Sequence, residues 1–229
     1  MLIPIVQGGL SSTPALLVLD ITSNAAEQNI LTLATSAGYN AATDDTAIIV
    51  NIASGVTISG SSTHALRTGA LNADSNLTVN ISGSVDGYTG ADGGLVAQVG
   101  SVGGDALYWE TLTGGSGTYI VNVLSGGNLR SGGGGGGGQR GARLSEYDAD
   151  TQQCFGVTVY GNFGSTGASG GFGQAGSTGG TGTFGGGNVN CTVQSPGAGG
   201  AGGSAGFALR KNSNTVTVNN SGTIAGTVG

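Results

Sequence analysis

The sequence has few charged residues. Lysine and arginine together number 6, aspartate and glutamate together number 12, and the formal net charge is −6 over 229 residues. A conventionally disordered chain carries more charge, and a nucleic-acid-binding protein needs a basic stripe that neutralises phosphates. The composition therefore argues against both classes.

Proline, cysteine and long apolar runs are also scarce. The three prolines, Pro4, Pro14 and Pro196, fall far below the content of a collagen triple helix. No apolar run reaches the length of a membrane-spanning helix, and the N-terminal segment lacks the basic start of a signal peptide. The two cysteines, Cys154 and Cys191, could pair with each other or be buried thiols, and they do not identify a redox compartment.

Glycine is the abundant residue, at 50 positions, and much of it recurs every third residue. Residues 161–187 form nine consecutive triplets that each begin with glycine, and the same phase returns in shorter tracts within 87–93, 132–141 and 197–206. A period of three matches polyproline-II geometry, which has no internal hydrogen bonds. Its amides and carbonyls must find partners elsewhere. We therefore predict a bundle in which the chain folds back and packs such segments side by side.

The nine-triplet tract would span roughly 84 Å if it were straight. Because that is too long for a compact domain, we expect it to break into two or three runs. A disordered Gly/Ser linker is the alternative, but random composition does not explain strict phase in separate tracts.

The remaining sequence is rich in short β-strand patterns and contains a repeat. Residues 77–87 and 216–226 match at six of eleven positions, and looser copies occur at 49–55 and 120–126. Each copy has the form apolar-x-Val-Asn followed by Ser-Gly, which predicts a half-buried strand and a corner. Such units suggest a solenoid or prism, although their irregular spacing argues against a regular β-helix.

One α-helix is predicted, over about residues 25–36. Asn24 and Glu27 have the spacing of a capping box, and Gly38 can end the helix. Further strands are predicted at 77–81, 119–123, 157–160, 189–193 and 215–218, and the first four of them lead into glycine tracts. The predicted fold is mostly β plus polyproline-II: short strands lead into a packed bundle of glycine-rich helices, with one short N-terminal α-helix.

Segments between the glycine tracts are expected to be loops on a rigid scaffold, where binding residues tend to lie. Segments 105–113 and 143–151 hold the aromatic and charged residues that favour contacts with a partner. The candidate binding residues are Tyr88, Tyr108, Trp109, Glu110, Arg143, Tyr147 and Asp148. For Tyr108, Trp109 and Tyr147, packing is an equal alternative, and for Phe163, Phe172 and Phe184 packing is favoured.

Catalytic and metal-binding patterns are weak. His64 lies near Ser61 and Ser62 in sequence, but proximity in sequence does not make a catalytic triad. Asp148 and Asp150 could be a carboxylate pair or calcium ligands, although a solvated acidic loop explains them better. No enzyme activity, cofactor or metal is predicted.

Three motifs carry a resemblance to a known family: Leu33-Ala-Thr-Ser-Ala-Gly-Tyr39, Val50-Asn-Ile-Ala-Ser-Gly-Val-Thr-Ile-Ser-Gly60, and Thr78-Val-Asn-Ile-Ser-Gly-Ser-Val-Asp-Gly87. With the glycine tracts, they resemble bacteriophage tail-tip proteins, in particular the distal long-tail-fibre adhesins of T-even-like phages. The resemblance implies a sandwich of polyglycine-II helices whose inter-tract loops touch a bacterial surface receptor.

By this resemblance, the chain is expected to be a non-enzymatic adhesin at the phage tail tip, made in the host cytoplasm without a signal peptide. Residues 1–82 are expected to be a β-rich attachment region, and residues 83–229 the glycine-rich sandwich with its recognition loops. Expected partners are a surface protein or glycan and other tail-fibre proteins, on which the chain could be a monomer or a homotrimer. A purely structural tail or surface protein, a polyproline-II ice-binding protein and a polysaccharide depolymerase are the alternatives.

Overall fold

Fifteen of the strands form three parallel sheets of five strands each. The computed structural model describes residues 16–94, 98–112, 114–138, 143–148, 153–160, 165–181 and 198–229. Sheet A contains β1 (Leu16–Ile21), β4 (Ala47–Ile52), β7 (Asn76–Ile81), β10 (Tyr119–Val123) and β15 (Val216–Asn220). Sheet B contains β2 (Ala25–Ala26), β5 (Thr57–Ser59), β8 (Ser84–Asp86), β11 (Asn128–Arg130) and β16 (Thr223–Ala225). Sheet C contains β3 (Gln28–Asn29), β6 (His64–Arg67), β9 (Asp105–Tyr108), β14 (Phe207–Arg210) and β17 (Thr227–Val228).

The chain visits sheets A, B and C in turn, so each circuit adds one strand to every sheet. The result is a three-sided parallel β-solenoid with five coils around one apolar core. The repeated Val-Asn units are in register along sheet A, where Val50, Val79 and Val121 align and are fully buried. The sequence repeat is therefore the coil repeat, and the predicted strands at 77–81, 119–123 and 215–218 are confirmed within about one or two residues.

Two insertions explain the irregular spacing of the repeat. Residues 87–104 lie between β8 and β9, and residues 131–206 lie between β11 and β14. Both insertions leave the solenoid at the corner between sheets B and C. The argument against a regular β-helix was therefore wrong, because the long intervals come from insertions rather than from irregular coils.

The α-helix is shorter than predicted. Helix α1 is Ile30–Ser36, and its N-cap is Asn29, whose side chain accepts a hydrogen bond from the amide of Thr32. The predicted capping box was wrong, because residues 25–26 and 28–29 form β2 and β3 instead, and Glu27 between them has a φ of +47°. Asn24 accepts from the amide of Thr57. Gly38 ends the helix as predicted, at a φ of +99°.

Six extended segments from the two insertions pack together, and we call them the glycine slab: 87–94, 98–104, 131–138, 165–171, 173–181 and 198–206. Their backbones are joined by hydrogen bonds between segments at every third residue. The amides of residues 90 and 93, for example, donate to the carbonyls of residues 133 and 136 at 2.8 and 2.7 Å. The long tract does break, at a turn where Gly173 has a φ of +73°. That expectation is confirmed for the described part of the tract.

Segment 131–138 is the centre of the slab, because it exchanges backbone hydrogen bonds with all five other segments. Each residue from Gly132 to Gly138 is buried, and a Cβ at any of them would lie 1.6–2.2 Å from a neighbouring carbonyl oxygen. An outer segment has a neighbour on only part of its surface. It therefore needs glycine at every third position, and the centre needs glycine at all seven.

The predicted boundary between regions 1–82 and 83–229 does not coincide with a boundary in the sheets. Each sheet has strands on both sides of that position, because the coils before and after the insertions belong to one solenoid. Sequence-contiguous units therefore do not describe the architecture. The predicted strand at 189–193, including Cys191, lies outside the described residues.

Candidate functional site

The glycine slab has one end at the solenoid and one end away from it. Segment 131–138 begins at the solenoid, where the Ser131 amide donates to the Ala225 carbonyl at 2.9 Å. Residues 165–173 run antiparallel to segment 131–138. The amide of Gly167 donates to the carbonyl of Gly137, and the amide of Gly173 donates to the carbonyl of Ser131. The connection between 138 and 165 therefore leaves the end of the slab farthest from the solenoid, which we call the distal end.

Two other connections leave from the same end. The amide of Gly138 donates to the carbonyl of Gln98 at 2.7 Å, and the amide of Gly200 donates to the carbonyl of Gly138 at 2.8 Å. The segment ends at residues 98 and 200 are therefore beside residue 138. The slab thus presents three chain connections together at its distal end.

The longest connection contains an antiparallel hairpin of β12 (Arg143–Asp148) and β13 (Gln153–Tyr160). Arg143 pairs with Tyr160 and Tyr147 pairs with Cys154, with an irregularity after Leu144. Three predicted binding residues, Arg143, Tyr147 and Asp148, thus share one strand. The prediction that 143–151 is a loop was wrong for 143–148, and residues 149–151 lie outside the described part. The predicted strand at 157–160 is confirmed within β13.

Segment 105–113 is not a loop between glycine tracts, because its first four residues are strand β9 of the solenoid. The Trp109 side chain is 0% exposed, and its ring lies 5.5 Å from that of Tyr119 at a tilted angle. Trp109 is therefore a core residue, and its prediction as a binding residue was wrong. The physical reason is that Trp109 directly follows β9 and packs into the apolar core, against Tyr119 of sheet A.

Glu110 holds adjacent coils together. Its carboxylate accepts hydrogen bonds from Nε of Arg67 at 2.7 Å, from the Thr68 hydroxyl at 2.8 Å and from the Gly69 amide at 2.8 Å. These carboxylate partners belong to the preceding coil, and the Glu110 carbonyl accepts from Nδ2 of Asn214 in the following coil at 2.9 Å. Glu110 therefore has a structural role between coils, and its predicted role in binding a partner stays a prediction.

Tyr108 and Tyr88 are both half-buried near the solenoid. The Tyr108 ring stacks on His64 with 4.1 Å between centroids. The Tyr88 ring occupies the space beside Gly104, where a Cβ would lie 2.1 Å from it. The predicted residues therefore fall in two regions, with Arg143, Tyr147 and Asp148 in the distal connection and the others on or beside the solenoid.

Asp105 connects strand β9 to both neighbouring strands of sheet C, and the sequence analysis did not single it out. Its carboxylate accepts from the Phe207 amide at 2.8 Å and from Nε and Nη2 of Arg210 at 2.6 and 3.0 Å, and Nδ1 of His64 lies 3.3 Å away. Burial raises the pKa of Asp105, but these hydrogen bonds outweigh burial and lower the pKa to about 2. No local motif could reveal it, because Arg210 is 105 residues away.

Asp92 was also missed, and it joins two segments of the slab. Its Oδ1 accepts from the Gly136 amide at 2.6 Å and from the Ser169 hydroxyl at 2.7 Å. These two hydrogen bonds, from Ser169 first, lower the pKa of the Asp92 carboxyl.

The catalytic alternative at His64 receives no support from the neighbouring serines. The hydroxyl of Ser62 donates to Glu27 at 2.7 Å, and Ser61 donates to Glu27 through its amide. Within the described ranges, no three His, Cys, Asp or Glu side chains cluster as metal ligands. None of the helices there has the length and apolar character to cross a bilayer.

Comparisons with known proteins agree with this architecture. The family model for phage tail fibre adhesin Gp38 matches residues 16–229. A chain in the crystal structure of the gp37-gp38 adhesin tip complex of the bacteriophage S16 long tail fiber has a similar fold, with 18% sequence identity and a TM-score of 0.56. The alignment covers 93% of this chain and 82% of that one. No curated protein sequence matches.

Proposed function

Because the chain belongs to the phage tail fibre adhesin Gp38 family, we propose that it binds a receptor on the bacterial surface through segments at the distal end of the glycine slab. Membership of this family implies a location on the virion tail. The proposed action is binding alone, without catalysis, and the receptor is a surface protein or glycan.

The scaffold of this proposal is a polyglycine-II sandwich. Three observations support it: the hydrogen bonds between segments recur every third residue, none of the six segments contains a β-strand, and a Cβ has no room at any of seven consecutive glycines. Extended three-fold helices satisfy all three, because they present one residue in three to each neighbour. A slab bonded on several sides resists bending, so it holds its distal connections in a fixed arrangement.

The residues proposed to contact the receptor are Arg143, Tyr147 and Asp148. Tyrosine and arginine contribute much of the affinity in protein interfaces, and strand β12 carries both within five residues. Binding residues tend to lie on connecting segments that a rigid scaffold positions, and the distal connections of the slab are such segments. The single observation that supports the proposal most is that three connections leave the slab from one end.

The solenoid is proposed to attach the chain to another tail-fibre protein, through the part of region 1–82 that forms its first coil. Strand β1 is the last strand of sheet A on that side, so one edge of it has no partner among the described strands. Leu16 and Val18 are 63% and 47% exposed on it. An unpaired, partly apolar strand edge is a surface that another chain can extend.

Replacement of residues 143–160 by a Gly/Ser segment of equal length tests the receptor proposal. The slab and solenoid remain, so the melting temperature should stay within a few degrees while adsorption to host cells is lost. The matched control is the double variant Thr223→Ala and Thr227→Ala, which changes exposed residues of the last coil and should adsorb normally. Normal adsorption by the replaced protein would contradict the proposal and favour a purely structural role.

A further inference from the structure

The outer face of sheet C carries a row of cationic and aromatic side chains. Arg67, Tyr108 and Arg210 align on three consecutive strands, β6, β9 and β14. Neighbouring strands are about 4.8 Å apart, so the two arginine positions flank the tyrosine at a separation of about 10 Å. The inward-facing row beside them, Leu66, Leu107 and Leu209, is fully buried.

Each arginine is oriented by an acid that lies deeper in the protein. Arg67 pairs with Glu110, and their side chains are 49% and 15% exposed. Arg210 pairs with Asp105, and theirs are 34% and 4% exposed. An approaching ligand therefore meets the guanidinium groups before the carboxylates.

The pairing leaves part of each guanidinium group available. Nε and Nη2 of both arginines contact the acids, so the Nη1 group of each has no partner among the described residues. Lys211 follows Arg210 and is half-buried. The charges of the two arginines and their two acids balance on this face, in a chain whose total charge is −6.

Two aromatic rings on this face contact neighbouring side chains. Tyr108 stacks on His64 with 26° between the planes, and the Arg210 guanidinium lies 4.0 Å above the centre of the Phe207 ring. Half-buried rings beside guanidinium groups suit a ligand that has both an apolar face and an anionic group. Sugars that carry phosphate have both, because their C–H faces stack on rings and arginine binds phosphate through charge-assisted hydrogen bonds.

We propose that Arg67, Tyr108 and Arg210 form a binding site for a phosphate-bearing sugar of the bacterial surface. The site lies on the solenoid, apart from the distal end of the slab, and it does not depend on which residues bind the receptor there. A protein partner fits less well. A stable interface needs about 800 Å² on each side with an apolar centre, and Val228, 38% exposed, is the one exposed large apolar residue among the described strands of sheet C.

Isothermal titration calorimetry with a phosphorylated lipopolysaccharide core oligosaccharide tests the site. The wild-type protein should bind it saturably, bind the enzymatically dephosphorylated oligosaccharide at least tenfold more weakly, and bind inorganic phosphate more weakly than the phosphorylated sugar. Arg67→Gln and Arg210→Gln should each lower the affinity about tenfold, since each removes a charge-assisted contact. Tyr108→Ala should weaken binding, and Tyr108→Phe should retain it.

Arg130→Gln is the matched control. Arg130 makes an equivalent two-pronged ion pair with Asp86, at 2.8 and 2.7 Å, but on sheet B. Its loss should lower stability as much as Arg210→Gln does and leave sugar binding unchanged. Because Arg210→Gln could unfold the chain, the more exposed Arg67→Gln and Tyr108→Ala provide the decisive variants.

Four results would overturn the proposal. The first is that the wild-type protein shows no saturable binding at millimolar ligand, and the second is that it binds the dephosphorylated sugar as tightly as the phosphorylated one. The third is that free phosphate binds as tightly as the sugar. The fourth is that Arg130→Gln loses as much binding as Arg210→Gln. Replacement of residues 143–160 should leave this titration unchanged. The two binding proposals can therefore fail separately.

Discussion

Nδ2 of Asn80 donates a hydrogen bond of 2.9 Å to Oδ1 of Asn51, in the neighbouring coil. The same contact repeats along sheet A, from Asn219 to Asn122, from Asn122 to Asn80 and from Asn51 to Asp20, at 2.7–2.8 Å. All donors point toward the first coil. The residue in the first coil therefore only needs to accept a hydrogen bond, so Asp20 can occupy the position at which the other coils have asparagine.

Asn80→Asp is expected to destabilise the solenoid by about 2 kcal/mol or more, because a carboxylate cannot donate to Asn51 and partly buried acceptors would face each other. The melting temperature should fall by at least about 4–8 °C for a chain of this size. Asp20→Asn is the matched control. It keeps the acceptor and should change stability by less than about 0.5 kcal/mol. Equal effects of the two changes would show that the ladder does not stabilise the fold.

Gly135→Ala is expected to cost about 3 kcal/mol or more, because its Cβ would lie 1.9 Å from the Ala91 carbonyl in a region that backbone fills on every side. Gly171→Ala, in an outer segment, would place its Cβ no closer than 3.8 Å to a neighbouring atom. Denaturant unfolding monitored by circular dichroism compares them. Similar midpoints for the two variants would be inconsistent with a tightly packed slab centre.

The lowered pKa of Asp105 predicts that the protein loses stability in acid. Its pKa is about 2 in the folded protein and 3.8 as the reference value, so its contribution is complete above about pH 5 and is lost as the pH falls from there to about 2. The shift corresponds to about 2 kcal/mol. The difference between the unfolding free energies of wild type and Asp105→Asn should shrink across this range. A difference that stays constant from pH 5 to pH 2 would contradict the assignment.

Trp109→Ala is expected to destabilise the protein by about 3–5 kcal/mol, as for other large aromatic residues removed from a core. Trp109 is the sole tryptophan in the sequence, so its fluorescence emission should be blue-shifted in the native protein and move to the red on unfolding. Tyr108→Ala, at the half-buried residue that precedes Trp109, should cost clearly less. Red-shifted native emission would place Trp109 at the surface and reinstate it as a contact residue.

The sequence by itself determined the local units of this protein. Alternating apolar residues before Asn and Ser-Gly predict strands with corners, because alternation matches the two-residue period of a strand. Glycine at every third residue predicts segments with a three-residue period that need neighbours for their backbone groups. The resemblance carried by the same motifs indicated the family.

Only the tertiary structure decided how these units combine. Two insertions at one corner of a regular solenoid give an irregular spacing in sequence, and the spacing alone misleads. The long triplet tract dominates the sequence, but segment 131–138 is the centre of the slab, since a chain surrounded on every face excludes all side chains. Trp109 is buried and Asp105 joins His64 to Arg210 for the same physical reason: contacts between coils connect residues far apart in sequence, and no local pattern encodes them.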